Sequence, residues 1–439
     1  MPNKITVNHK IKSFDKSIII PGDKSLSIRW VLIASLASGK SIANNLLMSE
    51  DVKAAIKTVR KFGIKVKVKK KRCEIYGKGI YGYVFKKGIT IDAKNSGTLA
   101  RLILGLIIDS PFPIKLIGDQ SLSKRDFRRV TDPLSKFGVK FKYKNKNGLP
   151  LSLTGSNKLK AISYSENRGS AQCKSSIIFG SLKAKGKTQI KAKKSRNHTE
   201  LLFKSLKLPI KVLKKNNFDY IELNPVNKIR KLNYNIPSDI SSAAFFIILT
   251  ALTKNSKLLI KNININPSRI GVIKILKIMG VKIKFQKIKI YKGEKISDIM
   301  ISSPKKIKRI NCPVNLNSGA IDEFLSVFLL AAKAEGISYF KKLEELDKKE
   351  SPRLKWGAKI LKLIGVKVVS TNNSIKIYGN PKLTIRKKIV IKNYLKDHRV
   401  FMTSMIAALA FGGKWEIHDK DSINTSFPTF LKLVSKLKK

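Results

Sequence analysis

Acids, histidines and cysteines are scarce in this chain of 439 residues: 28 Asp and Glu face 91 Lys and Arg, alongside 4 His and 3 Cys. Cys73, Cys173 and Cys312 stand far apart with no CxxC spacing, so the thiols point to neither a disulfide framework nor a zinc site. The two histidines with nearby acids, His198 with Glu200 and His398 with Asp397, lack metal-ligand spacing. Long apolar runs are missing too. The longest, Ala243 to Leu252, has the length of a core helix or strand, and Met1 to Lys16 is too polar for a signal peptide. A soluble, cytoplasmic protein is expected. Arginine is the last scarcity, at 15 of the 91 basic residues. Lysine suffices for solubility, whereas two-point recognition of carboxylate or phosphate needs the planar guanidinium, so each Arg and each acid carries information.

A formal net charge of +63 would ordinarily suggest a polyanion partner. The lysines, however, run along the whole chain beside abundant Ile and Asn, the pattern of a compositional bias. With 43% hydrophobic residues the chain can bury a large core in two or more domains. One pattern recurs: a helical stretch, a Gly or Pro, then an alternating strand with lysine outward. It is centred on Gly63, Gly138, Pro209, Gly280 and Gly365, every 71 to 85 residues. This predicts α/β repeats. A sixth unit, Phe430 to Leu437, has a helix with no strand after it, and Ile5-Thr6-Val7 is free to complete it. The expected domains are therefore 21–236 and 1–20 plus 237–439, with helices inside and mixed sheets outside.

The most informative segment is Pro21-Gly22-Asp23-Lys24-Ser25-Leu26-Ser27-Ile28-Arg29. Two cations and two hydroxyls precede a helical pattern that runs to Gly39, and the positive end of that helix favours an anion. Alone, it reads equally well as a capped helix. Asn95-Ser96-Gly97 to Arg101, Ser121 to Arg125, Ser170-Ala171-Gln172-Cys173-Lys174-Ser175 and Ser195-Arg196-Asn197-His198-Thr199-Glu200 also place hydroxyls and cations at turns or helix starts, and together they shift the reading toward anion binding. The acids gather later, in Ile321-Asp322-Glu323, Lys349-Glu350-Ser351-Pro352-Arg353 and Asp397-His398-Arg399. There a carboxylate is either a cap or a base facing a ligand.

These motifs, with Asp239-Ile240-Ser241-Ser242, Asn266-Pro267-Ser268-Arg269 and Thr425-Ser426-Phe427-Pro428, occur in one order along nearly the whole chain. Together they resemble the 5-enolpyruvylshikimate-3-phosphate synthase family. The resemblance implies two domains of three βαβαββ-type units each, an inside-out α/β barrel with the active site in the cleft. It implies transfer of the enolpyruvyl group of phosphoenolpyruvate to the 5-hydroxyl of shikimate 3-phosphate by a monomer. No cofactor, metal, membrane or specific nucleic acid is implied. Carried over position by position, shikimate 3-phosphate is expected to meet Lys24, Ser25, Arg29, Ser170, Ala171, Gln172, Arg196, Asp322 and Lys349. Phosphoenolpyruvate is expected to meet Lys24, Gly97, Arg125, Gln172, Arg353 and Arg399. Glu350 is expected to protonate C3, Asp322 to handle the 5-hydroxyl proton, and Lys24 to be a second proton carrier.

The chain departs from the family pattern at Ile28, Asp126 and Ser238, and at two positions of the acidic loop: Asp347 replaces a usual Arg and Pro352 a usual Asp. Thr425 stands where some members carry a cation and receives no role. Gly97 is the small residue of glyphosate-sensitive members, so sensitivity is expected. Two rivals make different demands. The sister transferase acting on UDP-N-acetylglucosamine usually carries a cysteine in its donor loop, and Gly118 to Val130 has none. A lysine-rich nucleic-acid-binding module would cluster its basic residues on one face among aromatics.

Overall fold

A computed structural model describes residues 3–438. The chain divides into two compact units, one of residues 22–236 with 291–294 and the other of the remaining segments. The tip Tyr291–Glu294 lies inside the stretch that the sequence assigned wholly to the second domain. It belongs with 22–236 because Tyr291 stacks on Tyr234, ring centroids 5.5 Å apart, and Glu294 pairs with His198.

Within residues 22–236 three four-stranded sheets repeat one plan. An edge strand pairs in parallel with the next, followed by two antiparallel neighbours. Thus Tyr234–Asn235 joins Ser38–Asn44, Thr90–Asp92 joins Ile114–Ile117, and Ser163–Glu166 joins Thr188–Lys193. In the other unit Asp15–Ile19 joins Lys257–Asn264 in the same way. The unfinished sixth repeat is completed from the other end of the chain: Lys4–Val7 pairs antiparallel with Lys414–His418, placing Val7 opposite Trp415. Among the described residues the six sheets remain separate and form no closed barrel.

The helix-to-strand punctuation follows backbone chemistry. Gly63, Gly138, Gly280 and Gly365 all have positive φ after helices, where a left-handed residue ends the last turn. In the third repeat Pro209 cannot adopt that conformation, and Lys207 does so two residues earlier, at φ 56°. The first helix, Lys24–Leu36, stops short of Gly39 because Ala37 is already extended, at ψ 152°, leading into Ser38–Asn44.

The helices divide by burial. Ile240–Leu252, Phe324–Ala332 and His398–Phe411 are buried on all sides and pack on one another, as an interior helix must if it is apolar all round. Gly97–Leu106 and Ala171–Ser181 are their counterparts in the other unit. These two cross at Gly105, where a Cβ would lie 2.2 Å from the Ser176 carbonyl oxygen, so only glycine permits the approach. The Ser176 hydroxyl donates to the Arg101 carbonyl at 2.9 Å and fixes the crossing. Among the described residues no helix is long and apolar enough to cross a membrane.

The two departures in the acidic loop compensate each other. Pro352 occupies the cap position of helix Arg353–Leu363 and offers no side-chain acceptor. Asp347 replaces it from five residues upstream, its Oδ1 accepting from the Leu354 N–H at 2.7 Å. A cap of this kind is worth about 1 kcal/mol. Asp347→Ala should therefore lower the denaturant midpoint by an amount equivalent to roughly 1 kcal/mol, and adding Pro352→Asp should restore most of the loss. A double variant no more stable than Asp347→Ala in a urea titration would disprove the compensation.

Candidate active site

In the unit of residues 22–236, the start of helix Lys24–Leu36 is set by Asp23, whose side chain accepts from the Leu26 N–H at 2.9 Å. Lys24 then lies at the helix mouth, partly exposed, with Nζ 3.0 Å from Asp51. Five residues on, Arg29 is only 3% exposed. Its Nε donates to Thr199 Oγ1 at 2.8 Å, its Nη2 to Ser175 Oγ at 3.1 Å and its Nη1 to the Ser25 carbonyl at 3.2 Å. Ser25 is partly accessible. Ser27 is not the donor the sequence suggested: it is wholly buried, and its Oγ accepts from the Leu47 N–H at 3.2 Å, a structural bond.

A second group forms where the glycine-permitted crossing brings two helix starts together. Ser96 caps Gly97–Leu106 and Ser170 caps Ala171–Ser181, accepting from the N–H groups of Leu99 and Cys173. Arg101 Nη1 donates to Gln172 Oε1 at 2.5 Å, and Gln172 Nε2 donates to Thr98 Oγ1 at 3.0 Å, which fixes the orientation of the Gln172 amide. Arg125 reaches the same turn. Its Nη2 is 3.4 Å from Asn95 Oδ1, and a Cβ at Gly97 would meet its Nη1 at 3.0 Å. Gly97, Arg125, Ala171 and Gln172 are thus brought together. Arg196 is partly accessible, just before helix His198–Ser205, and the Oγ of Ser195 beside it is buried with no partner among the described residues. Lys174, which the sequence grouped with these polar ends, is instead wholly buried, 2.6 Å from Glu200 and 3.5 Å from Asp219. His198 and Glu200 do not converge: His198 Nδ1 lies 2.7 Å from Glu294.

In the other unit the acids collect around one guanidinium. Arg353, 2% exposed, contacts Asp397 through Nε at 2.9 Å and Nη2 at 3.2 Å, and Nη2 also donates to Glu350. Its Nη1 lies 3.4 Å from Asp322, and Lys349 Nζ lies 3.6 Å from the same oxygen. Burial alone would raise the Asp397 carboxyl, but the Arg353 guanidinium outweighs it and holds the group below the usual carboxylate range. Asp397 also accepts from the Arg399 N–H at 2.9 Å, capping helix His398–Phe411, and from Ser351 Oγ at 2.9 Å. Arg399 Nη1 donates to the Asp322 carbonyl at 2.7 Å.

A network behind this group was not assigned from the sequence. Arg269 Nη2 donates to Ser241 Oγ at 2.7 Å, Ser241 donates to Glu323, and Glu323 lies 3.8 Å from Arg399. Apart from Arg399, its residues were visible only as motifs, because nothing in their spacing reveals that residues 241, 269, 323 and 399 meet. Thr425 Oγ1 is 3.2 Å from His398 Nδ1.

The chain has close relatives among known proteins. The family model for EPSP synthase (3-phosphoshikimate 1-carboxyvinyltransferase) matches residues 8–433. A 3-phosphoshikimate 1-carboxyvinyltransferase of Caldicellulosiruptor bescii is 38% identical over 429 residues, 97% of each chain. One of Bacillus cytotoxicus is 35% identical over 97% of this chain and 98% of its own. The solved EPSP synthase of Acinetobacter baumannii superposes with a TM-score of 0.87 at 33% identity, covering 99% of this chain and 98% of that one. The enolpyruvyl transferase NikO of Streptomyces tendae, at 13% identity and a TM-score of 0.76 over 100% of this chain and 98% of its own, shares the fold alone. With a family match over residues 8–433 and relatives above one-third identity along nearly the whole chain, the chain belongs to the EPSP synthase family.

Proposed function

We propose which residues carry the family reaction: cations of each unit bind the anionic substrates, and Glu350, Asp322 and Lys24 handle protons. The chain transfers the enolpyruvyl group of phosphoenolpyruvate to the 5-hydroxyl of shikimate 3-phosphate and releases phosphate. The observation that carries the proton-transfer assignment is the Arg353 guanidinium, on which Glu350 and Asp322 converge beside Asp397.

Shikimate 3-phosphate is assigned to Ser25, Arg29, Ser170, Ala171, Gln172 and Arg196, with Lys24, Asp322 and Lys349 beside the reacting hydroxyl. The buried Ser195 hydroxyl, next to Arg196, supplies a further donor for the phosphate. Phosphoenolpyruvate is assigned to Lys24, Gly97, Arg125, Gln172, Arg353 and Arg399, where guanidiniums can take its carboxylate and phosphate at two points. In the addition step, C3 gains a proton as the 5-hydroxyl oxygen bonds to C2, and the hydroxyl proton leaves to a base. In the elimination step, C3 loses a proton, the double bond re-forms and phosphate departs from C2. Glu350 is assigned to C3 and Asp322 to the 5-hydroxyl proton, with Lys24 as a second carrier.

The chain carries every group assigned here, so one copy is proposed as the working unit. Three free, buried thiols suit a reducing compartment, and we place the protein in the cytoplasm.

The reading is tested by phosphate release that requires both shikimate 3-phosphate and phosphoenolpyruvate. Release with UDP-N-acetylglucosamine in place of the shikimate would reject it. Glu350→Gln should lower kcat by about two to four orders of magnitude, the range for loss of a positioned acid, and near-normal turnover would remove Glu350 from the chemistry. Glyphosate should inhibit by competing with phosphoenolpyruvate. A Cβ at residue 97 would press on Arg125 Nη1 at 3.0 Å and Arg101 Nη1 at 3.3 Å. Gly97→Ala should therefore raise the inhibition constant and the phosphoenolpyruvate KM by about tenfold or more, about 1.4 kcal/mol, while leaving the shikimate 3-phosphate KM in place. Equal changes in both KM values would contradict the placement.

A further inference from the structure

We infer that Thr199, together with Ser175, is a positioning residue of the acceptor site that fixes the plane of the Arg29 guanidinium. The inference rests on the assignment of Arg29 to shikimate 3-phosphate. Thr199 and Ser175 are both wholly buried, and neither follows from the motifs as a substrate contact. Their hydroxyl oxygens lie 2.7 Å apart and receive the Nε and Nη2 hydrogens of one guanidinium. That is the edge a carboxylate would grip at two points, and here two neutral oxygens replace it. They hold the fork in one plane without adding negative charge beside an anionic substrate. One hydroxyl must donate to the other while both accept from Arg29, so rotation of either side chain breaks the set. The Ser25 carbonyl adds a third point on Nη1.

The two hydroxyls come from different helices, and a buried ion pair sets their spacing. Lys174 precedes Ser175 on helix Ala171–Ser181, Glu200 follows Thr199 on helix His198–Ser205, and Lys174 Nζ lies 2.6 Å from Glu200 Oε1. Asp219 stands 3.5 Å from the same ammonium. Arg29 is thus aligned by three helices that meet around its side chain. A hydroxyl needed only for packing could be replaced by an isosteric methyl without touching substrate affinity, and this distinguishes the two roles.

Steady-state kinetics of the full chain should show that Thr199→Val raises the shikimate 3-phosphate KM by about tenfold, the loss of one hydrogen bond to a charged group, while kcat and the phosphoenolpyruvate KM move less than about threefold. Thr199→Ser, which keeps the hydroxyl, should restore the parental KM. Ser175→Ala should move the same constant in the same direction. Arg29→Ala should raise it further, and Thr199→Val in that background should add nothing, because the two act as one unit. An unchanged shikimate 3-phosphate KM in both Thr199→Val and Ser175→Ala, with a clear rise in Arg29→Ala, overturns the positioning role alone. A Thr199→Val defect spread equally over both substrates, with a lowered melting temperature and no rescue by serine, overturns it as well. An Arg29→Ala variant with normal affinity for shikimate 3-phosphate removes the assignment on which it rests. Should Thr199→Val not fold, Ser175→Ala alone and combined with Arg29→Ala separates the same outcomes.

Discussion

The contact between Asp397 and Arg353 anchors the acid cluster of its unit. One carboxylate, wholly buried, caps helix His398–Phe411 through the Arg399 N–H and grips two nitrogens of Arg353, the first residue of another helix. Glu350, Asp322, Lys349 and Arg399 gather around it. Glu350 and Asp322 converge on the guanidinium that Asp397 has oriented, Lys349 joins Asp322, and Arg399 begins at the cap itself. Such a pair adds little net stability over a well-packed apolar alternative. Removing one partner is another matter and costs about 3–5 kcal/mol, because the remaining charge stays buried. Its value lies in alignment: the pair fixes the guanidinium on which Glu350 and Asp322 converge.

The other unit aligns its cations by different means. Arg29 is held on two edges by hydroxyls and a carbonyl, Gln172 is oriented by Arg101 and Thr98, and Arg125 is supported by Asn95. These acceptors are neutral, whereas Arg353 and Lys24 are paired with carboxylates.

Most of the fold could be read from periodicity, because helix, left-handed residue and alternating strand recur with spacing that local physics enforces. The failures are local and instructive. Ser27 seemed a donor because its neighbours are polar, yet the helix turns it inward to the Leu47 N–H. Lys174 seemed to belong with Gln172, two residues away, but in a helix that interval nearly reverses direction, and it lies buried against Glu200. The site residues were named through resemblance, whereas the groups that orient them were not, since Thr199 meeting Arg29, or Glu323 meeting Ser241, depends on contacts across 170 and 82 positions.

The acidic loop shows why a departure from a family pattern is poorly judged one residue at a time. An aspartate where arginine is usual, and a proline where aspartate is usual, look like two defects beside the proposed acid. The structure joins them through one hydrogen bond: the cap oxygen lost at 352 is returned from 347 to the Leu354 N–H. The helix still begins at Arg353, and Arg353 still meets Asp397. What the chain keeps is the start of that helix, since a shift of one residue would turn the guanidinium by about 100° and scatter the acids that gather on it.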